Sequence, residues 1–217
     1  MSELDNVVAA CRRGIARGDG PTATATALAA WAVYLVRGPL TAGISLLEAV
    51  GGMRALSPTE RGQVEVAHAQ ACFNAGRSAE ALTRYEAARD LFESLGDRRW
   101  LARTQTGMGN VHCRIGGADK GRALYEAALL TFRELDRAAE GGALRELGVL
   151  HTNQGRLDEA GDCLRSALEV SREFGNRRLE GAVLIALGNV HAMQGRPDEA
   201  LTAFHGAVAA LREVGDR

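Results

Sequence analysis

A repeat of about 40 residues constrains the fold of this chain more than any other feature. The pattern Gly-x-x-His-x-x-x-Gly occurs three times, at residues 109–116, 148–155 and 188–195. Two weaker copies precede these three, and the second glycines of successive copies lie 38, 40, 39 and 40 residues apart, at Gly38, Gly76, Gly116, Gly155 and Gly195. Five matches in one register predict an array of similar units, each packed against its neighbours.

Each unit is predicted to be two helices joined by a short turn. In one copy, apolar residues recur at helical spacing on both sides of Gly155, which is expected to end the first helix in a left-handed conformation. Asp158 and Glu159 then fall in the first turn of the second helix, where the helix dipole favours carboxylates. Glycine followed by an N-capping residue is predicted to join successive units, at Gly96–Asp97, Gly175–Asn176 and Gly215–Asp216.

This pattern resembles the tetratricopeptide repeat family over about residues 22–215. One copy shows the family's small residues in Gly148, Ala160 and Ala167, at its eighth, twentieth and twenty-seventh positions. The aromatic residue of the eleventh position is replaced by histidine in the last three copies and by Cys72 in the second. The resemblance implies an all-α fold, a right-handed α-solenoid of stacked antiparallel helix pairs whose first helices line a concave groove.

We expect residues 1–217 to form a single solenoid of about five repeats. An N-terminal helix is predicted at 3–16, and the repeats at about 22–54, 57–95, 96–135, 136–175 and 176–215. The sequence stops where a sixth repeat would begin, with Leu201, Phe204 and Val208 in the last predicted helix. Because terminal repeats usually need a polar outer face, this end predicts either a fragment of a longer protein or self-association.

Composition and charge argue against several classes of protein. The formal net charge is -1 and the isoelectric point about 6.5, which does not favour direct nucleic-acid binding. No apolar stretch reaches the roughly 18 to 20 residues that span a bilayer. Residues 1–5 lack the basic start of a secretory signal, so we expect a cytoplasmic protein whose four cysteines are reduced.

The sequence predicts no enzyme, no cofactor and no metal site. It contains no nucleophile elbow or phosphate-binding loop, and no two cysteines have a zinc-ligand spacing. The repeated histidines His112, His151 and His191 lie in different units, and helix axes are about 8 to 10 Å apart, so one ion cannot bind all three. They and His68 are expected to be packed histidines, those of the repeat each hydrogen-bonded within its own unit.

The family resemblance implies a set of ligand-binding positions on the first helices. The asparagine amides would bond an extended peptide backbone, and the arginines would bind carboxylates. Alternatively, the arginines are only solvated or pair with acids such as Glu146. The candidate residues are Gln70, Asn74, Arg103, Asn110, Arg114, Arg145, Asn153 and Asn189.

Three functions remain open at this point. The first is a non-catalytic scaffold that binds a protein or peptide in its groove, with an acidic peptide as one candidate ligand. The second is a regulatory sensor segment of a larger bacterial signalling ATPase or transcriptional regulator, because the long repeat resembles such sensor arrays. The third is a structural protein that self-assembles through its last repeat.

Overall fold

The computed structural model describes residues 3–215, and all regular structure in that range is helical. This confirms the predicted all-α class. Asp216, predicted as an N-cap, lies outside the described residues. The eleven helices in the described range are α1 (Glu3–Arg17), α2 (Gly20–Arg37), α3 (Leu40–Gly51), α4 (Pro58–Asn74), α5 (Ser78–Leu95), α6 (Arg98–Arg114), α7 (Ala118–Leu135), α8 (Arg137–Asn153), α9 (Leu157–Glu173), α10 (Arg177–Met193) and α11 (Pro197–Glu213).

The described residues form two compact units, one up to Ile115 and one from Gly116. Unit 1 holds α1 to α6, and unit 2 holds α7 to α11. We call α2, α4, α6, α8 and α10 the first helices, since each opens a predicted repeat. In unit 1, α4 packs against both α2 and α6, and in unit 2 α8 packs against α10, so first helices are neighbours within each unit.

Unit 1 has a core of aromatic and branched side chains. Trp31 is buried, and its Nε1 donates to Gln70 Oε1 at 3.1 Å, which joins α2 to α4. The ring of Phe92 is fully buried and stacks on Trp100, with centroids 5.6 Å apart, which joins α5 to α6. Aromatic pairs of this kind add stabilisation beyond the apolar area that they bury.

Unit 2 has a core made mainly of aliphatic side chains. Leu164, Val183 and Val190 are almost completely buried, and Ala160 and Ala167 of α9 are fully buried. The small alanines allow the helices to approach closely, and the branched residues fill the remaining space.

Glycines permit the closest helix approaches. A Cβ atom on Gly107 would lie 2.3 Å from Tyr85 Cζ, and one on Gly188 would lie 2.4 Å from Phe204 Cε1. On Gly148 it would lie 2.6 Å from Leu164 Cγ. Glycine at positions 148 and 188 therefore leaves room for a side chain of the neighbouring helix.

The predicted turns and caps also occur. Gly155 has φ +72°, in the left-handed region that favours glycine, and the four equivalent turn glycines have positive φ as well. Asp97 Oδ1 accepts from the backbone N–H of Trp100 at 3.0 Å, and Asn176 Oδ1 accepts from that of Leu179 at 3.1 Å. These N-caps satisfy donors that a helix leaves unpaired.

Within residues 3–215, no helix combines the length and the apolar character that crossing a membrane requires.

Candidate functional site

The eight candidate residues all lie on first helices. Six are exposed, and Asn110 and Arg145 are partly buried. We call the solvent-accessible side of α4 and α6 in unit 1, and of α8 and α10 in unit 2, the first-helix face of that unit. Gln70, Asn74, Arg103, Asn110 and Arg114 belong to unit 1, and Arg145, Asn153 and Asn189 belong to unit 2.

Arg114 ties the two first helices of unit 1 together. Its guanidinium carbon lies 3.4 Å from the centroid of the Phe73 ring, and its Nη1 donates to the Phe73 carbonyl oxygen. Both partners on α4 are uncharged. A cation over a ring face is attracted to the ring quadrupole, but its charge is not neutralised as it would be by a carboxylate.

Two other candidates in unit 1 have structural contacts. The side-chain oxygen of Gln70 accepts the hydrogen bond from Trp31, so that oxygen helps to hold α2 against α4. The guanidinium carbon of Arg103 lies 5.1 Å from the ring centroid of Trp100 on the preceding turn of α6. Asn74, by contrast, is exposed at the end of α4.

In unit 2, Arg145 forms an ion pair with Glu146, the residue that follows it. This is the alternative that the sequence left open for the arginines. Burial raises the pKa of Glu146 above its usual value, although the charge of Arg145 opposes that rise. Asn153 and Asn189 are exposed on α8 and α10. These two asparagines are therefore the candidate residues of unit 2 that are exposed.

The histidines of the repeat are packed, as expected, but they are not all hydrogen-bonded. Nδ1 of His151 is buried without a hydrogen-bond partner. Nδ1 of His191 lies 3.2 Å from Glu199 Oε2, but outside hydrogen-bond geometry. Burial lowers the pKa of both histidines, so both are expected to be neutral at pH 7. The prediction that each histidine is hydrogen-bonded within its own repeat is therefore wrong for Nδ1 of His151 and Nδ1 of His191.

A cluster in unit 1 was not predicted from the sequence. An imidazole nitrogen of His68, Sγ of Cys72 and a carboxylate oxygen of Glu80 all lie within 4.8 Å of one another. Repeat periodicity relates equivalent positions of different repeats, whereas His68, Cys72 and Glu80 are different positions of one repeat. Periodicity therefore does not reveal this combination. The signal that was available is the spacing of His68 and Cys72, four residues apart, which places both on one side of a helix.

Comparison with protein families gives one match. Residues 60–134 and 139–213 match the model of the family described as "Tetratricopeptide repeat". No curated protein matches the chain in sequence.

Similar folds occur among solved structures. The crystal structure of BtubC (BKLC) from P. vanneervenii has a TM-score of 0.75 and 16% identity, and the match covers 99% of this chain and 93% of that one. A Rap protein complexed with competence and sporulation factor has a TM-score of 0.76 and 10% identity, with 97% and 77% coverage.

A third solved structure belongs to a larger protein. It is a signal transduction ATPase with numerous domains and a tetratricopeptide repeat sensor, from Pyrococcus horikoshii, with a TM-score of 0.69 and 14% identity. The match covers 87% of this chain but 29% of that one. At such identities these likenesses concern the fold alone.

Proposed function

This chain belongs to the tetratricopeptide repeat family, and we propose that it is a non-catalytic scaffold that binds a protein or peptide on its first-helix face. The proposal extends to a cytoplasmic location and to a partner that is neither nucleic acid nor membrane. Repeat proteins of this architecture use extended surfaces of stacked helices for binding.

The observation that carries the proposal is the polar, accessible character of this face in unit 1. α4 and α6 pack side by side, and Asn74, Arg103 and Arg114 are exposed on them. An amide can donate and accept, which suits the backbone of an extended peptide. Guanidinium groups can bind carboxylates with two parallel hydrogen bonds.

The two units are proposed to differ in the charge that they present. Arg114 contacts a ring and a carbonyl oxygen, so its positive charge remains available for a ligand. Arg145 already pairs with Glu146. We therefore assign the preference for an acidic partner to unit 1 and backbone recognition by Asn153 and Asn189 to unit 2.

Capture from native lysate tests the proposal with one variant for each unit. Wild-type protein is immobilised beside Asn74→Ala/Arg103→Ala and Asn153→Ala/Asn189→Ala, and the captured proteins are identified by mass spectrometry. The matched controls are Glu86→Ala on α5 and Ser166→Ala/Glu169→Ala on α9. These positions are exposed and lie on helices that follow a first helix. A partner that the controls retain and at least one double variant loses supports the proposal.

The proposal fails if all four variants capture the same proteins as the wild type. Each variant is first checked for unchanged helix content and thermal midpoint. Capture that higher salt weakens in the wild type and in Asn153→Ala/Asn189→Ala, and that Asn74→Ala/Arg103→Ala loses, is the expected sign of an acidic ligand on unit 1.

A regulatory sensor is the second candidate function. It is favoured by the similarity in fold to the repeat sensor of a multidomain signalling ATPase. In that case the binding face would report ligand occupancy to a switch domain in the same chain or in a protein of the same operon. Coexpression of the chain with a neighbouring switch protein, followed by measurement of nucleotide hydrolysis with and without the chain, tests this candidate.

A further inference from the structure

Three chemically different metal-ligand side chains meet between α4 and α5. His68 and Cys72 come from α4, and Glu80 comes from the first turn of α5. One donor atom of each lies within 4.8 Å of the other two. Zinc bonds of about 2.0 to 2.3 Å at tetrahedral angles place ligand atoms about 3.4 to 3.8 Å apart. Small side-chain rotations therefore suffice to bring all three donors onto one ion.

His68 adds a second observation, a buried ring nitrogen without a hydrogen-bond partner. It is 3% exposed, and its Nε2 is buried without a hydrogen-bond partner. The nearest carboxylate oxygen, Oε1 of Glu48, is 3.8 Å from that nitrogen. Burying an unpaired polar atom costs free energy, so such atoms in native proteins call for an explanation.

The backbone holds the cluster in place. His68 and Cys72 are four residues apart on one side of α4. The turn that follows is closed by a hydrogen bond of 2.8 Å from the backbone N–H of Arg77 to the carbonyl oxygen of Cys72. Glu80 lies in the first turn of α5, which begins immediately after this turn. Two ligands from one helix and a third from its neighbour are thus positioned by rigid elements, which favours a defined geometry.

We propose that His68, Cys72 and Glu80 bind one divalent transition metal ion, with zinc as the best match. A nitrogen, a sulfur and an oxygen donor suit zinc, and three protein ligands leave a fourth position for water. Binding releases the thiol proton of Cys72, so that the ion faces a thiolate and a carboxylate. These two negative charges balance the charge of the ion.

Arg77 contacts two of the three proposed ligands. Its Nη2 donates to Cys72 Sγ at 3.2 Å, and its Nη1 lies 3.3 Å from Glu80 Oε2. The Arg77 side chain is 43% exposed, so it can move into water when an ion takes its place. Arg77 therefore competes with the metal, and its removal is expected to strengthen binding.

Arg84 has the opposite role. It contacts Glu80 Oε1 at 3.4 Å and Glu65 Oε2 at 3.2 Å. With one oxygen of Glu80 on the metal, Arg84 can keep the other, as outer hydrogen bonds commonly do at metal sites. Glu65, Glu80 and Arg84 also line an open surface pocket, so the carboxylate of Glu80 is the proposed ligand that lies beside it.

Cobalt is the probe for the test, because it replaces zinc and reports thiolate ligation by absorption. The full chain is freed of metal with a chelator, kept reduced and titrated with Co²⁺. We expect a sulfur-to-cobalt charge-transfer band that saturates at one ion per chain and disappears when Zn²⁺ is added. Zinc is also expected to raise the thermal midpoint of the wild type.

The variants separate this site from the other thiols. Cys72→Ser is expected to abolish the band, whereas Cys113→Ser and Cys163→Ser, which change half-buried thiols elsewhere, leave it intact. Glu80→Gln, at a partly exposed position, is expected to fold and to weaken binding roughly tenfold or more. Arg77→Gln is expected to tighten binding about three- to tenfold, because a partly exposed charged contact no longer competes.

Two results would overturn the proposal. One is the absence of a saturable charge-transfer band in the wild type. The other is a band that does not respond to the variants, because it persists in Cys72→Ser or is unchanged in both Glu80→Gln and Arg77→Gln. Ligation would then involve another thiol or no specific site. Circular dichroism confirms that each variant is folded, and Glu80→Gln keeps the test decisive if Cys72→Ser does not fold.

Discussion

Nε of Arg172, near the end of α9, donates to Oε1 of Glu180 on α10 at 2.8 Å. The other carboxylate oxygen of Glu180 accepts from Arg177 Nη1 at 2.6 Å. Glu180 is 4% exposed, whereas about half of each arginine side chain is exposed. Glu140 has the same arrangement one repeat earlier, between Arg133 and Arg137. A buried acid held by two arginines therefore joins α9 to α10 and α7 to α8.

Replacing Glu180 is expected to reduce stability at neutral pH. Glu180→Gln removes the negative charge, keeps one acceptor oxygen and sets an amide NH2 against the other arginine. We therefore expect the free energy of unfolding to fall by roughly 1 to 3 kcal/mol after allowance for the exposure of the arginines. Urea unfolding followed by circular dichroism measures the change. The exposed Glu169→Gln on α9 is the control, and an equal loss in both variants would contradict the structural role of Glu180.

The contacts of Glu180 with Arg172 and Arg177 also predict that stability depends on pH. Burial acts to raise the pKa of Glu180, but its hydrogen bonds from Arg172 and Arg177 hold it below the usual value. The stabilisation is thus fully present above the pKa of an unfolded glutamate, about 4.3, and is lost as the pH falls through the lower folded value. Between about pH 6 and pH 3, wild type should lose more stability than Glu180→Gln; parallel pH profiles would refute this.

Two glycines in helices should respond oppositely to alanine. Gly107→Ala places a methyl group against the buried ring of Tyr85, at 2.3 Å from Cζ. Overpacking should cost about 1 to 3 kcal/mol, of which the better helix propensity of alanine offsets up to about 1. Gly142 has nothing within 4 Å of the added Cβ, so Gly142→Ala should stabilise by up to about 1 kcal/mol. Thermal unfolding of both variants checks the signs.

Gln70 is predicted to matter for stability as well as for binding. Gln70→Ala leaves Trp31 Nε1 without its acceptor, and we expect a loss of about 0.5 to 1.5 kcal/mol. Asn74→Ala, at an exposed position on the same helix, should change stability by less than about 0.5 kcal/mol. Chemical unfolding followed by tryptophan fluorescence compares the two. Equal effects would mean that the contact between Trp31 and Gln70 adds little.

Self-association through α11 is a further prediction. Leu201 and Val208 are 55% and 46% exposed on this helix, and burying them against a second copy would remove apolar surface from water. We expect the sedimentation coefficient of the wild type to rise with concentration, and that of Leu201→Glu/Val208→Glu to stay constant. A wild type that remains monomeric over the whole concentration range would contradict it.

Local rules account for what the sequence predicted well. Left-handed glycines such as Gly155 and caps such as Asp97 depend only on a few neighbouring residues, so repetition of the pattern revealed the turns and helix ends. The family resemblance implied that positions such as Asn189 and Asn153 lie on the ligand-binding side of the first helices, and both are exposed.

Contacts between repeats were harder to predict. Gln70 bonds Trp31, 39 residues earlier, and Arg114 lies over Phe73, 41 residues earlier. Helical periodicity specifies the face on which a side chain lies but not the rotamer that it adopts there. The pair of Arg145 and Glu146, which are adjacent in sequence, is one of the alternatives that the sequence left open.

Both tryptophans of the chain, Trp31 and Trp100, lie in the core or at the helix contacts of unit 1. Intrinsic tryptophan emission therefore reports on unit 1, whereas ellipticity reports on the helices of both units. Monitoring one denaturation by both signals shows whether the halves melt together or one after the other. Coincident curves would mean that a ligand seated on either half protects the whole array.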